Sequence, residues 1–208
     1  GLTAMPSGRF YGMVIGGSHP AALAADWLVS AWDQNAGLAR LTPAATATEQ
    51  VASGWLLELL GLPEGSAVGF VTGGTMASTL AIGVARFALA RKLGIDVREQ
   101  GVQSWPDEKK QSPFVFYGSV ETHGWARKAA EFMGLGNRAF RRVPVGADYT
   151  MDTTALAEMV AADRAAGLTP FCVVGTAGTV NTGASDDLNA IADFCSREKL
   201  WFHVDGAF

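Results

Sequence analysis

An α/β fold, with a mostly parallel sheet flanked by helices, is what this 208-residue sequence predicts, and three observations carry the expectation. Short apolar runs of strand length alternate with longer segments of helical periodicity, the pattern of a parallel sheet covered on both faces. The runs themselves, such as Phe114 to Gly118 and Pro170 to Gly175, are almost continuously apolar, as buried strands are. Polar or glycine residues gather where the runs end, at Gly73-Gly74-Thr75, at Ser119 to His123 and at Asp205, and open α/β sheets keep their ligands at such C-terminal strand ends.

Taken along the chain, the first element is a helix over 20–35. Ser18 stands as its cap and Pro20 in its first turn, a favoured start. Leu23, Trp27, Val29, Ala31 and Trp32 give it more apolar surface than an exposed arm needs. A second helix is expected over 46–60. Strand 67–72 then leads through the glycine turn into helix 75–93, whose apolar stretch from Met76 to Ala90 is interrupted by Arg86 and fits a core helix beside the sheet. From Gly94 to Ser112 the chain turns polar, with Trp105-Pro106 and Asp107-Glu108-Lys109-Lys110, and is read as a solvated loop. The rest alternates: strand 113–117, helix 123–133, strand 138–143, helix 152–166, strand 170–175, helix 186–199 and strand 201–205. Two regions follow, an N-terminal helical arm and dimer-contact segment over 1–60 and the first part of a sheet domain over 61–208.

Composition narrows the function classes. With 49% hydrophobic and 17% charged residues the chain can bury a large core. A net charge of -4 and a pI near 5.3 are wrong for a nucleic-acid surface, which needs a basic stripe. No segment approaches the roughly 18 uninterrupted apolar residues of a membrane span, no secretory signal pattern opens the sequence shown, and no internal repeat is evident. Cys172 in a strand and Cys195 in a helix form no disulfide framework, which points to a reducing cytoplasm.

Three segments carry chemistry. Val68 to Thr75 runs from an apolar strand into two glycines and a hydroxyl residue before a helix. Glycines let a backbone approach closely, and the free N–H groups and dipole at a helix start favour a phosphate. His123 offers an imidazole at the opening of the next helix, and Asp205 delivers a carboxylate at the end of the last strand. A carboxylate among apolar neighbours needs a cation, and no Lys or Arg follows closely in sequence. Each segment alone has an ordinary structural reading, as a simple turn, a helix-terminal histidine and a paired acid. His203 and Asp205 share one strand face, but with only His19 and His123 besides, a metal centre is not expected. Together, a phosphate cradle, a flat side chain and a carboxylate at one sheet edge suit a phosphorylated heteroaromatic cofactor with a basic ring nitrogen, and pyridoxal 5'-phosphate fits that description.

The order Gly73-Gly74-Thr75, His123, His203-Val204-Asp205-Gly206-Ala207 resembles the group II pyridoxal-phosphate-dependent amino acid decarboxylases, which include the aromatic amino acid and glutamate enzymes. Ser7 to Tyr11, Thr42 to Thr46, Gly175 to Thr179 and Gly183 to Asp186 extend the resemblance over nearly the whole chain. It implies the large domain of a fold-type I transferase, incomplete here. It also implies that Gly74 and Thr75 hold the phosphate, that His123 stacks on one face of the pyridine ring and Ala207 packs on the other, that Asp205 pairs with the ring nitrogen, and that Thr179 reaches the phenolic oxygen. His123 and Asp205 are thus the expected catalytic residues, and Phe10 and Tyr11 are the expected substrate-pocket wall. Departures are Met76 and Ser78 where the family often has Glu and Asn, Val180 where a second hydroxyl is common, and Ser7-Gly8 in place of His-Pro.

The activity implied is decarboxylation of a small-molecule L-amino acid by a homodimer whose arm wraps the second subunit. Alternatives on the same scaffold are a carbon–carbon lyase or aminotransferase-like reaction, or a catalytically inert cofactor-binding fragment. The family's cofactor-linking lysine lies downstream of the His-Val-Asp segment, and none of Lys92, Lys109, Lys110, Lys128 or Lys199 takes its place. The 208 residues are therefore expected to belong to a longer polypeptide. Two further strands would then separate strand 67–72 from strand 201–205, leaving the sheet with an open edge.

Overall fold

A computed structural model describes residues 1–11, 16–101 and 114–208. It divides into two compact units, Gly1–Gly69 and Phe70–Phe208.

The first unit holds two helices. Helix α1, Pro20–Trp32, begins one residue later in its capping than the sequence implied: His19, not Ser18, is the cap, its Nδ1 accepting the Ala21 N–H at 3.3 Å, with Pro20 in the first turn. It ends three residues early because Asp33 turns left-handed, at φ 47°. Helix α2, Pro43–Leu59, starts three residues before the expected 46. Pro43 is preset for a first helical position, since its missing N–H is one the helix would leave unbonded anyway. The Thr42 hydroxyl donates to the Asn35 carbonyl at 2.7 Å and fixes the turn between the helices. No residue of α1 or α2 is buried, and Trp27, Trp32 and Trp55 all stand more than 60% exposed.

In the second unit, helix α3 spans Gly74–Lys92 and a single turn, α4, spans Val97–Gln100. Asp96 caps that turn by accepting from the Arg98 and Glu99 N–H groups, so part of the expected loop is helical. The remainder, 102–113 with Lys109 and Lys110, lies outside the described residues. There follow strand β1 (Phe114–Ser119), helix α5 (Trp125–Phe132), strand β2 (Phe140–Val143), helix α6 (Thr153–Ala165), strand β3 (Thr169–Thr176), helix α7 (Leu188–Glu198) and strand β4 (Trp201–Asp205). Asp152 and Asp187 cap α6 and α7 through their first-turn amides.

Among the described residues the four strands pair in parallel, in the order β2-β1-β3-β4. One face carries Phe114, Phe116, Cys172 and Val174 against Ile82 and Ala85 of α3 and Ala126, Ala129 and Ala130 of α5. The other carries Val115, Tyr117 and Val173 against Leu156 and Val160 of α6 and Ile191 and Phe194 of α7. Full burial of side chains such as Phe116 and Ile82 is worth about 1.5–3 kcal/mol each. Cys172 and Cys195 are free and buried.

The expected strand at 67–72 does not form: these residues adopt no strand structure, and Phe70 is half exposed. A strand exists through ladder hydrogen bonds to a neighbour, and none among the described residues pairs with this segment. The sheet correspondingly has an open edge at β4, where Trp201 and Val204 are exposed. Among the described residues no helix is long and apolar enough to cross a membrane.

Candidate active site

Of the candidate site residues of the second unit, His123 follows β1 and Asp205 ends β4 on the face covered by α3 and α5, while Gly74 and Thr75 open α3. The start of α3 comes first. Gly73 precedes it with no side-chain cap, and its carbonyl accepts from Met76 and Ala77. The amides of Gly74 and Thr75 are then first-turn donors with no acceptor inside the helix, an arrangement suited to an anion. A Cβ built on Gly74 would stand 4.0 Å from the Ala207 methyl carbon. The glycine turn and the tail of β4, 133 positions apart in sequence by subtraction of those numbers, are neighbours in space.

Asp205 is buried. Its Oδ2 accepts the indole N–H of Trp125 at 2.7 Å and its Oδ1 accepts the Ala207 amide at 3.2 Å. Both donors are neutral. Among the described residues no Lys or Arg forms an ion pair with it, so the cation that a buried carboxylate calls for is not supplied by them. Thr176 is the register partner of Asp205 on β3, and His203 is that of Val174, so these side chains share the α3/α5 face. Among the described residues Thr176 Oγ1, Thr122 Oγ1 and His203 Nε2 are buried polar atoms without a hydrogen-bond partner, as is Arg86 Nε on α3. First-turn amides, a buried acid with no cation among the described residues and unpaired hydroxyls offer the groups an anionic molecule that also carries a protonated nitrogen would need.

His123 is exposed at the start of α5, and its Nδ1 accepts the Trp125 amide at 3.2 Å. The remaining proton of a neutral imidazole then sits on Nε2, facing away from the helix. His203 meets Trp125 edge to face, with ring centroids 5.5 Å apart at 90°. Burial lowers its pKa below the ordinary imidazole value, while the Asp205 charge pulls the other way. No group of three or more His, Cys, Asp or Glu side chains among the described residues is arranged to hold a metal ion.

Thr179 is buried, but its hydroxyl is engaged with that of Thr182 at 2.6 Å. Its loop packs on the tail of β4: the Ala177 amide donates to the Asp205 carbonyl at 2.9 Å, and a Cβ on Gly178 would meet Phe208 Cβ at 3.1 Å. Asp186 braces this end of β3, accepting from the amides of Met151 at 2.7 Å and Thr176 at 2.8 Å. Phe10 and Tyr11 belong to the first unit, where Tyr11 is 90% exposed. Lys199 lies in the left-handed turn between α7 and β4, beside a groove lined by Leu89, Lys92, Pro170, Cys195 and Trp201 at the opposite end of the sheet.

Two residues escaped the sequence reading. Asp186 was visible only as part of a longer matching run. Trp125 sits in a helix whose buried face is otherwise Ala126, Ala129 and Ala130. The signal was available: a tryptophan on an inner helix face needs an acceptor for its N–H.

Comparison with known proteins bears on the same constellation. The pyridoxal-dependent decarboxylase conserved domain matches residues 1–208. An aromatic-L-amino-acid decarboxylase of Bacillus atrophaeus is 31% identical over 100% of this chain and 40% of its own length. Among solved structures, the glutamate decarboxylase domain of diaminobutyrate-pyruvate transaminase and L-2,4-diaminobutyrate decarboxylase from Vibrio parahaemolyticus superposes with a TM-score of 0.85 at 36% identity, covering 92% of this chain and 41% of that one. Oryza sativa TDC, solved with PLP and tryptamine, superposes with a TM-score of 0.75 at 30% identity over 89% of this chain and 40% of that one. The chain thus spans about 40% of the length of these relatives.

Proposed function

The chain belongs to the pyridoxal-dependent decarboxylase family, and on that premise we propose that the protein removes the carboxylate of an L-amino acid as carbon dioxide, using pyridoxal 5'-phosphate. The observation that carries this reading is the approach of Gly74 to Ala207 beside a buried Asp205 that pairs with no Lys or Arg among the described residues. When bound, the cofactor supplies an electron-withdrawing pyridinium that takes up the electron pair left as carbon dioxide departs.

The chain's own residues then have separable tasks. The Gly74 and Thr75 amides hold the phosphate with the α3 dipole behind them. Asp205 keeps the ring nitrogen protonated, because a buried anion stabilises a neighbouring cation. His123 would cover one ring face and the Ala207 methyl the other. Thr179, on the loop that packs against Phe208, would offer its hydroxyl to the phenolic oxygen while keeping its bond to Thr182.

A second copy of the chain is the expected partner, since Leu23, Trp27, Val29 and Trp32 of α1 are all exposed and a large unpartnered apolar surface marks an association site. Two buried free cysteines accord with a cytoplasmic setting.

The test is to load protein expressed from its complete reading frame with pyridoxal 5'-phosphate, add single amino acids, and follow both cofactor absorbance and carbon dioxide. Release of carbon dioxide from one amino acid upholds the proposal. A spectral change without release points to a carbon–carbon lyase or aminotransferase-like reaction, and silence in both points to an inert cofactor-binding protein.

A further inference from the structure

We infer that Trp125 is a positioning residue, whose indole N–H fixes the Asp205 carboxylate so that one oxygen is left to pair with the cofactor's ring nitrogen. The inference rests on the proposed pairing of Asp205 with that nitrogen and extends it to a group outside the three sequence segments that pointed to the cofactor.

Trp125 is 3% exposed and donates to Asp205 Oδ2 at 2.7 Å. A hydrogen bond to an ionised acceptor at this length is of the strong, charge-assisted kind. Among the described residues Oδ1 receives the longer bond from the Ala207 amide, at 3.2 Å, and as the more weakly engaged oxygen it is the one better placed to take a protonated nitrogen. Without the indole only the longer Ala207 bond restrains rotation about the Cβ–Cγ bond, which is a broad torsion. The inner face of α5 offers no substitute donor, since its other buried residues are alanines.

The same residue reaches the second proposed ring contact. Its backbone N–H donates to His123 Nδ1 at 3.2 Å, orienting the imidazole that would lie on the pyridine. Its ring also packs perpendicular to that of His203, with centroids 5.5 Å apart. One tryptophan therefore bonds the proposed counter-ion through its side chain and the proposed ring-facing imidazole through its backbone. Only the first of these is lost when the side chain is changed to phenylalanine.

Trp125→Phe keeps the aromatic packing and removes the N–H. The experiment compares its affinity with that of wild type, in protein from the complete reading frame, for pyridoxal 5'-phosphate and for the 1-deaza analogue, in which a C–H replaces the ring nitrogen. The expected result is a loss of about tenfold for pyridoxal 5'-phosphate, the scale of one charged hydrogen bond, with the affinity for the deaza analogue unchanged. Equal weakening of both ligands, or of neither, overturns the inference and leaves the cofactor reading standing. Wild-type protein that binds neither compound overturns both. Should Trp125→Phe fail to fold, indole-15N-labelled wild type and Asp205→Asn decide: an indole N–H resonance that moves upfield in the variant supports the contact, and no movement overturns it.

Discussion

The Gly74 backbone lies against the Ala207 side chain, with 4.0 Å between the Ala207 methyl carbon and the position of a Gly74 Cβ. Ordinary van der Waals space exists there, so a side chain at 74 alters the chemistry at the mouth of α3 more than the packing beneath it.

Gly74→Asp separates those effects. An acidic residue in the first turn of a helix is stabilising by about 0.3–1 kcal/mol, so the melting temperature is expected to hold or rise. The same carboxylate stands where the phosphate is proposed to bind, and pyridoxal 5'-phosphate binding should be lost. Calorimetric melting alongside absorbance titration of the cofactor checks the pair. A variant that binds as wild type does would remove the phosphate role from this turn.

Gly118→Ala is expected to be costly. A Cβ at 118 would come within 2.7 Å of Thr122 Oγ1 and 2.9 Å of the Phe140 ring, and overpacking of this kind costs about 1–3 kcal/mol. Because Thr122 precedes His123, the displaced loop carries the imidazole with it. Urea unfolding should show the loss of stability, with the m-value unchanged.

On the far face, Tyr117 is fully buried and donates to Asp163 Oδ2 at 2.8 Å, while Arg141 bonds both Asp163 oxygens at 3.0 and 3.1 Å. Burial, followed by the bond to Asp163, raises the Tyr117 pKa far above the phenol range, so the hydroxyl stays a donor. Tyr117→Phe removes it and should destabilise the protein by about 1–3 kcal/mol while leaving cofactor affinity unaltered. Melting curves and a cofactor titration of the variant check both halves.

His203 predicts an acid limb in stability. Burial lowers its pKa in the folded state below the ordinary value of 6.5, so the unfolded chain takes up a proton at a pH where the folded chain does not. The contribution to stability is complete above pH 6.5 and declines as pH falls below it, down to the folded pKa. Melting temperature should be insensitive to this group above neutrality and fall on acidification, and His203→Gln should flatten that decline. An unchanged limb in the variant would assign it to other groups.

Much of the site could be read from residue order alone. Asp205 was readable because a charged residue ending an apolar run of strand length has few structural excuses, and Gly74 because two glycines between a strand-like run and a long helix leave free amides. His123 followed from its place just past β1. Helix starts were less legible: His19 rather than Ser18 caps α1, because neighbouring polar side chains compete for the same amides. Residues 67–72 have the composition of a strand yet form none, since a ladder needs a partner that composition does not specify.

What residue order settled by itself was the type and succession of elements and the strand ends at which polar groups stand, because period and local capping act over a few residues. The tertiary structure alone decided the order β2-β1-β3-β4, the meeting of Gly74 with Ala207 and the bond from Trp125 to Asp205. Those contacts join residues about 80 or more positions apart, and they form only when the two faces of the sheet are buried together, which is a property of the whole packed core rather than of any segment.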